Sequence, residues 1–337
     1  MTSPERVAPA AQPAASAWTV TDGHAGNRRQ AEALANALGL AAREWSLQSQ
    51  APWRWLAPRR LPGARRAFGE EFAAALPRPP AVAIGCGRQA ALATRLLRAG
   101  GARAVQILDP RLSTHHWDLV IAPQHDGLHG DNVITMFGSL HPVDDLWLAA
   151  ARREFAAFAA LPAPRTALLI GGPSANARFD DAMFEALLAQ AERLVRYEGG
   201  SILATASRRT PATVRARLRD RFAPLPGVLW CGEEDGANPY AGLLGWADRI
   251  VCTADSVNML SEAAATLAPV LVAGAERIDG RPRQFLDSLY GLGRVRFFDL
   301  AQDDALVAAS ALPMDVMPLR ETARVAALVQ ARLDLPG

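Results

Sequence analysis

The chain contains no lysine: all 36 of its basic residues are arginine. That absence excludes two large classes of enzyme. No side chain can form a Schiff base with a carbonyl substrate or with pyridoxal phosphate. No Walker A loop can be built, because its phosphate-gripping residue is lysine. Anions must be held by arginine, which meets phosphate and carboxylate bidentately, or by backbone amides. Cysteine is scarce as well. Cys86, Cys231 and Cys252 form no CxxC pair, which points to buried thiols in a reducing compartment and so to a cytoplasmic protein. No apolar run approaches the roughly 18 residues of a membrane-spanning helix. The net charge of +2 gives no case for a nucleic-acid partner. Nothing calls for a metal or an organic cofactor. Residues 1–17 are rich in Ala, Pro and Ser and lack a basic start followed by an apolar stretch, so a disordered tail is expected rather than a leader.

What is present is a regular alternation. Short apolar runs and amphipathic stretches follow one another along 337 residues, the pattern of βαβ units and parallel sheets. The length exceeds the about 250–300 residues at which single cores stop growing, so two domains are expected. Strands are predicted at 18–21, 81–84, 104–108, 118–122 and 132–136, then at 166–170, 201–205, 228–231, 249–252 and 270–272. A helix is expected over 143–160. Leu161-Pro162-Ala163-Pro164 then breaks the chain, giving an N-terminal domain over 18–160 and a second over 165–312. A last helix near 319–333, within a C-terminal segment 315–337, is expected to return to the first domain.

In open parallel sheets ligands lie at the carboxyl ends of the strands. There this sequence places Gly171-Gly172-Pro173-Ser174, Ser207-Arg208-Arg209-Thr210, Asn238-Pro239-Tyr240 and Thr253-Ala254-Asp255-Ser256. Glycine lets backbone amides approach an oxyanion, and helix N-termini add partial positive charge. Either Asp255 or Ser256 can cap the following helix, which carries Asn258 and Glu262. Glu262 suits chelation of two ribose hydroxyls; the plainer reading is a solvated surface carboxylate. Arg208 and Arg209 suit a diphosphate, with neither favoured over the other.

Gly23-His24-Ala25-Gly26-Asn27, Asn238-Pro239-Tyr240 and the segment Thr253–Ala263 resemble bacterial relatives of the plant elongated-mitochondria fission factor. That family is similar to glycosyltransferase-B enzymes. The resemblance implies two Rossmann-like α/β domains with an interdomain cleft and a nucleoside-diphosphate-sugar as partner. It implies that Glu262 binds ribose, that Ser256 and Asn258 face the diphosphate, and that Gly172, Ser174, Ser207 and Arg208 line the donor pocket. The chain lacks the Asp-X-Asp triplet that holds metal and diphosphate in the other glycosyltransferase fold, so the implied route is metal-independent transfer to an unidentified acceptor, lipid-linked or of the cell envelope. Two other classes stay open: a nucleotide-sugar epimerase on the same fold, and a non-catalytic adaptor.

On the acceptor side, His24 is the candidate general base, since imidazole titrates near neutral pH, and Asp22 is placed to orient it. Gly23, Gly26, Asn27, Gly87, Arg88 and the pair His125-Asp126 lie at neighbouring strand ends. Gly85-Cys86-Gly87-Arg88-Gln89-Ala90 competes as a dinucleotide fingerprint with Asp109 as ribose partner, but it falls well after the first βα unit. Pro52–Phe68 carries Arg54, Arg59, Arg60, Arg65 and Arg66 and no acid. With Trp53 and Trp55 among them it reads either as a contact with the inner face of a membrane or as a helix with tryptophans packed inward and arginines solvated.

Overall fold

A computed structural model describes residues 16–335. The predicted tail lies outside the described residues except for Ser16 and Ala17, and Ala17 already opens the first strand. The strands are β1 (Ala17–Thr21), β2 (Ala42–Ser46), β3 (Val82–Cys86), β4 (Arg103–Ile107), β5 (Leu119–Pro123), β6 (Val133–Met136), β7 (Arg165–Ile170), β8 (Ser201–Ala206), β9 (Gly227–Trp230), β10 (Arg249–Thr253), β11 (Val270–Ala273) and β12 (Val295–Phe297). They form two six-stranded sheets, ordered β2-β1-β3-β4-β5-β6 and β12-β11-β10-β7-β8-β9. Strand β1 runs parallel to β2 and β3, and β7 parallel to β8 and β10.

Most of these strands were legible because both faces are covered. β3, β5, β8, β10 and β11 are buried at every position, as parallel sheets flanked by helices require, and so they read as largely apolar runs. The sequence reading passed over β2 and β12. The edge strand β2 buries only Trp45 of Ala-Arg-Glu-Trp-Ser, and its charges hide it. β12 has only three residues.

The helix Asp181–Glu198 shows how local sequence sets its bounds. The Asp180 carboxylate accepts the Met183 amide at 2.8 Å, and Gly199 stops the helix with φ 65°, a conformation glycine adopts without penalty. The helix expected over 143–160 is shorter: it runs Asp145–Glu154 and gives way at Phe155 to a 3-10 turn, Ala156–Ala160.

The chain divides into two compact units. Of the described residues, one holds those up to Ala122, His129–Ile134 and those from Val325 on; the other holds Pro123–Leu128 and Thr135–Arg324. The helix Asp145–Glu154, placed by the sequence reading in the first domain, thus belongs to the second unit. There Arg152 donates to the Gly245 carbonyl at 2.6 Å. The last helix, Thr322–Leu333, is divided between the units. Its Arg332 donates to the carbonyls of Asp131 and Val133 in the first unit, at 3.0 and 3.2 Å. In the first unit Trp18, Trp45 and Phe72 cluster, with Trp45 5.3 Å from each of the other two rings. The core of the second unit spans Leu168, Leu187, Leu203, Val251 and Leu271, each 1% exposed or less.

Candidate functional site

In sheets of this kind the ligand crevice lies at the carboxyl edge, where the strand order reverses. In the second sheet the reversal falls between β7 and β10, and in the first between β1 and β3. Both positions carry polar clusters.

At the β7/β10 reversal one carboxylate ties three loops together. The Asp255 side chain is fully buried. Its Oδ2 accepts the Gly172 amide at 3.1 Å and the Arg209 guanidinium at 2.5 Å, and its Oδ1 accepts the Thr253 hydroxyl at 2.6 Å. Thr253 Oγ1 in turn accepts the Gly171 amide at 2.8 Å. The Thr210 hydroxyl donates to the Gly171 carbonyl at 2.6 Å and lies 3.1 Å from Ser207 Oγ. Burial pushes the Asp255 carboxyl above its ordinary pKa, against the opposing pull of the Arg209 charge and of hydrogen bonds from Thr253 and Gly172. Hydrogen bonds to a charged group contribute about 1.5–3 kcal/mol each, so this aspartate is a structural hub. Its neighbours must be glycines. A Cβ on Gly171 would sit 2.0 Å from Asp255 Oδ1, and one on Gly172 would sit 2.2 Å from the Arg209 carbonyl oxygen.

Of the two candidate caps for the helix Val257–Ala264, Ser256 serves: its hydroxyl accepts the Met259 amide at 3.3 Å. Asn258 is half-buried on the first turn. Glu262 is not a solvated carboxylate, as the plainer reading held, but is 2% exposed. The Tyr240 hydroxyl donates to its Oε2 at 2.6 Å, and the Tyr240 amide is held by Asn238 Oδ1 at 3.0 Å. The far end of the helix is fixed by the buried Arg294, which donates to the carbonyls of Ala263, Ala264, Thr266 and Ala268. Burial lowers that guanidinium to about 10. The structure also separates the two arginines. Both are exposed, but Arg209 is anchored on Asp255 with its side chain 43% exposed, and Arg208 has no such anchor among the described residues. Ser174 lies in a small turn, its hydroxyl accepting the Asn176 amide at 3.2 Å. Sequence reasoning missed Thr253, Thr210 and Arg294. The two threonines lie inside loops that were singled out, though no role was given to them; nothing local marks Arg294.

At the β1/β3 reversal Asp22 Oδ1 accepts the Asn27 amide group at 2.9 Å and the His24 backbone amide at 3.1 Å, and lies 3.0 Å from His24 Nδ1. Burial of Asp22 works to raise its pKa, but the hydrogen bonds from Asn27 and His24 prevail and hold it below the usual value. The His24 side chain is 73% exposed. A Cβ on Gly87 would approach Asn27 Nδ2 to 2.7 Å, and Gly87 has φ 92°, so glycine is required there. Gly23, also at positive φ, donates its amide to Thr21 Oγ1 at 3.2 Å, and Gly26 lies in the first turn of the helix Ala25–Ala37. Arg88 is committed elsewhere: its guanidinium donates to the carbonyls of Arg54, Trp55 and Ala57 at 3.0–3.3 Å. In the competing fingerprint, Gly85 is explained by packing, because a Cβ would meet Thr94 Cγ2 at 2.6 Å and Gln106 Oε1 at 2.9 Å. Asp109 Oδ1 accepts the Arg111 amide at 2.7 Å.

His125 and Asp126 fall in the second unit, apart from the first-unit residues with which the sequence grouped them. Their side chains are 9% and 5% exposed. The His125 ring lies 5.6 Å from that of Phe285, tilted by 41°, and Arg281 lies 3.1 Å from Asp126 Oδ1. Burial lowers the His125 pKa, partly countered by Asp126.

The fold has solved counterparts. A UDP-GlcNAc 2-epimerase from Neisseria meningitidis, bound to UDP-GlcNAc, matches with a TM-score of 0.59 at 12% identity, over 95% of this chain and 100% of the other. The calicheamicin glycosyltransferase CalG4 matches at 0.53 and 12%, over 96% and 99%. These likenesses establish the two-domain α/β fold of glycosyltransferase-B type. The mitochondrial fission protein ELM1 of Arabidopsis thaliana is 32% identical over 289 residues, 77% of this chain, and the match spans 65% of that relative's length. The family model for mitochondrial fission ELM1 matches residues 25–333. On a match of that extent, the chain belongs to the mitochondrial fission ELM1 family.

Proposed function

We propose that the second unit binds a nucleoside-diphosphate-sugar at the β7/β10 reversal, and that the protein transfers the sugar, without a metal, to an acceptor held by the first unit. The observation that carries this is the anchoring of Arg209. Asp255 holds one edge of the guanidinium while much of the side chain stays open, beside a helix N-terminus that favours anions. A diphosphate gains negative charge as it departs, and a preorganised cation stabilises that change. In the first unit the Asp22 contact occupies His24 Nδ1 and leaves Nε2 to receive a proton. The acceptor hydroxyl oxygen bonds to the anomeric carbon, its proton passes to His24 Nε2, and the bond to the diphosphate breaks with the electron pair leaving on the nucleotide. Glu262 takes the ribose hydroxyls once the Tyr240 hydroxyl yields its place.

The first probe is UDP-GlcNAc, which the Neisseria epimerase of this fold binds. A ligand at a hundredfold excess over its dissociation constant stabilises by about 2.7 kcal/mol, so UDP and UDP-GlcNAc should raise the unfolding temperature of the wild type and raise that of Arg209→Ala by clearly less. Absence of a shift with every nucleoside diphosphate and sugar conjugate overturns the reading. Product analysis then separates transfer from epimerisation: only the epimerase converts donor without acceptor. The burial of Glu262 under Tyr240 favours a second reading, a non-catalytic adaptor that keeps the fold with its pocket closed. Unchanged cellular function in Glu262→Ala would support the adaptor.

A further inference from the structure

Ion pairing is the common fate of arginine in this chain. Arg28, Arg43, Arg178, Arg219 and Arg324 all lie against carboxylates. The segment Pro52–Phe68 gathers five that lie against none. Arg54, Arg59, Arg60, Arg65 and Arg66 are all exposed, and among the described residues none has a carboxylate partner. The segment itself contains no acid.

The segment is well fixed. Ala57, Ala64, Ala67 and Phe68 are buried in the first unit's core. From the helix Arg88–Ala99, Arg88 holds the carbonyls of residues 54, 55 and 57, and Arg95 holds that of Pro58 at 2.6 Å. The two tryptophans of the short helix Trp53–Leu56 part company on this scaffold. Trp53 is half-buried, with its ring 3.5 Å from where a Cβ on Gly63 would lie, whereas Trp55 is 68% exposed. Leu61 is 38% exposed. Next to it is an open depression of about 370 Å³, with Arg60 and Arg65 on its wall and Leu96 in its lining. Arg60 also faces like charge: burial and the Arg60 guanidinium together lower the pKa of Arg95.

We propose that this face of the first unit docks on an anionic lipid surface, with the phosphate headgroups taken by Arg59, Arg60, Arg65 and Arg66 and with Trp55 set at the headgroup level. The sequence alone left two readings open. An inward-packed pair of tryptophans would have removed the apolar contact, and salt bridges would have removed the charge; neither is present among the described residues. Unpaired cations cost little in water but attract an anionic bilayer with about a fivefold gain in affinity each. An amphipathic indole suits the interface between headgroups and acyl chains. An anionic surface is the partner that uses both features.

The test is co-sedimentation of the full chain with phosphatidylcholine vesicles and with vesicles that also contain phosphatidylglycerol. Binding should require phosphatidylglycerol and weaken as salt rises. Joint charge reversal by Arg59→Glu, Arg60→Glu, Arg65→Glu and Arg66→Glu should weaken it at least about tenfold. Trp55→Ala should weaken it severalfold while keeping the salt dependence. Both variants alter exposed positions, so unfolding temperature serves as the check that they fold. The result is independent of the nucleotide-sugar reading, because the UDP-GlcNAc shift should survive in both. Equal binding to the two vesicle types, or full binding by the charge-reversed variant, overturns the proposal. So does polyuridylate displacing the wild type from vesicles at equal phosphate, which would make these arginines a nucleic-acid surface.

Discussion

The two points of strand reversal are furnished in opposite ways. At β7/β10 the acidic residue is sealed: Asp255 has no exposed side chain and is enclosed by Arg209, Thr253 and the amide of Gly172. At β1/β3 the acidic residue is partly open, and the histidine that it holds projects into solvent. The sealed cluster is a frame. It fixes where three loops and one arginine stand, which is what recognition of a charged, geometrically defined group requires. The open cluster has less to fix and presents one titratable ring, which is what proton transfer requires. One fold thus carries a sealed edge and an open edge at its two strand reversals, and the proposed reading uses the first for recognition and the second for proton transfer.

The sharpest way to break that contrast is to remove the projecting ring. His24→Ala should lower turnover by about 10²–10⁴-fold while leaving the thermal shift with UDP-GlcNAc intact. If His24→Ala abolishes the shift instead, the first reversal is a binding edge and the contrast fails. The complementary change, Arg209→Ala, should weaken UDP about 10–100-fold, the worth of one charged hydrogen-bonding partner. Isothermal calorimetry reads that loss directly, and Arg208→Ala is the comparison that should fall well short of it.

The glycine-rich loops that carry this contrast were legible in the sequence, because glycine, serine and proline punctuate the ends of apolar strands whatever the tertiary context. Gly171-Gly172, Ser207–Thr210 and Thr253–Ser256 emerged that way, and hydrogen bonds link them in the structure. The role of Asp255 was hidden. Its partners Gly172 and Arg209 lie 83 and 46 residues away, and only the sheet order brings them together. The burial of Glu262 was hidden for the same reason, since its cover comes from Tyr240 on another helix. Arg88 looked like part of an open glycine loop, but it serves the carbonyls of a segment more than thirty residues earlier. Local chemistry was readable; the question of which groups are already taken was not.

A stability measurement sharpens the contrast next. Gly171→Ala and Gly172→Ala drive a methyl group into Asp255 and into the Arg209 backbone, and overpacking of this kind costs about 1–3 kcal/mol. Gly172→Ala should be the worse, because backbone yields less than a side chain. Gly23→Ala at the open reversal meets Ser46 Oγ, the end of a small movable side chain. It should cost less in urea unfolding, in spite of the positive φ of Gly23.

The smallest expected effect has opposite signs at the two reversals. Asp22 has a lowered pKa in the folded protein, so its contribution to stability is present above the ordinary carboxylate value of 3.8 and is lost as pH falls through the folded value. Asp255 has a raised pKa, so its contribution is present at acid pH and is lost as pH rises through the folded value. Urea midpoints across a pH series should therefore diverge for the two isosteric variants. Asp22→Asn should match the wild type in acid and fall behind it towards neutrality. Asp255→Asn should gain on the wild type as pH rises, even where loss of the Arg209 pairing leaves it less stable in absolute terms. Parallel trends in the two variants would mean that the Arg209 charge outweighs burial at Asp255, and the sealed reversal would then behave electrostatically like the open one.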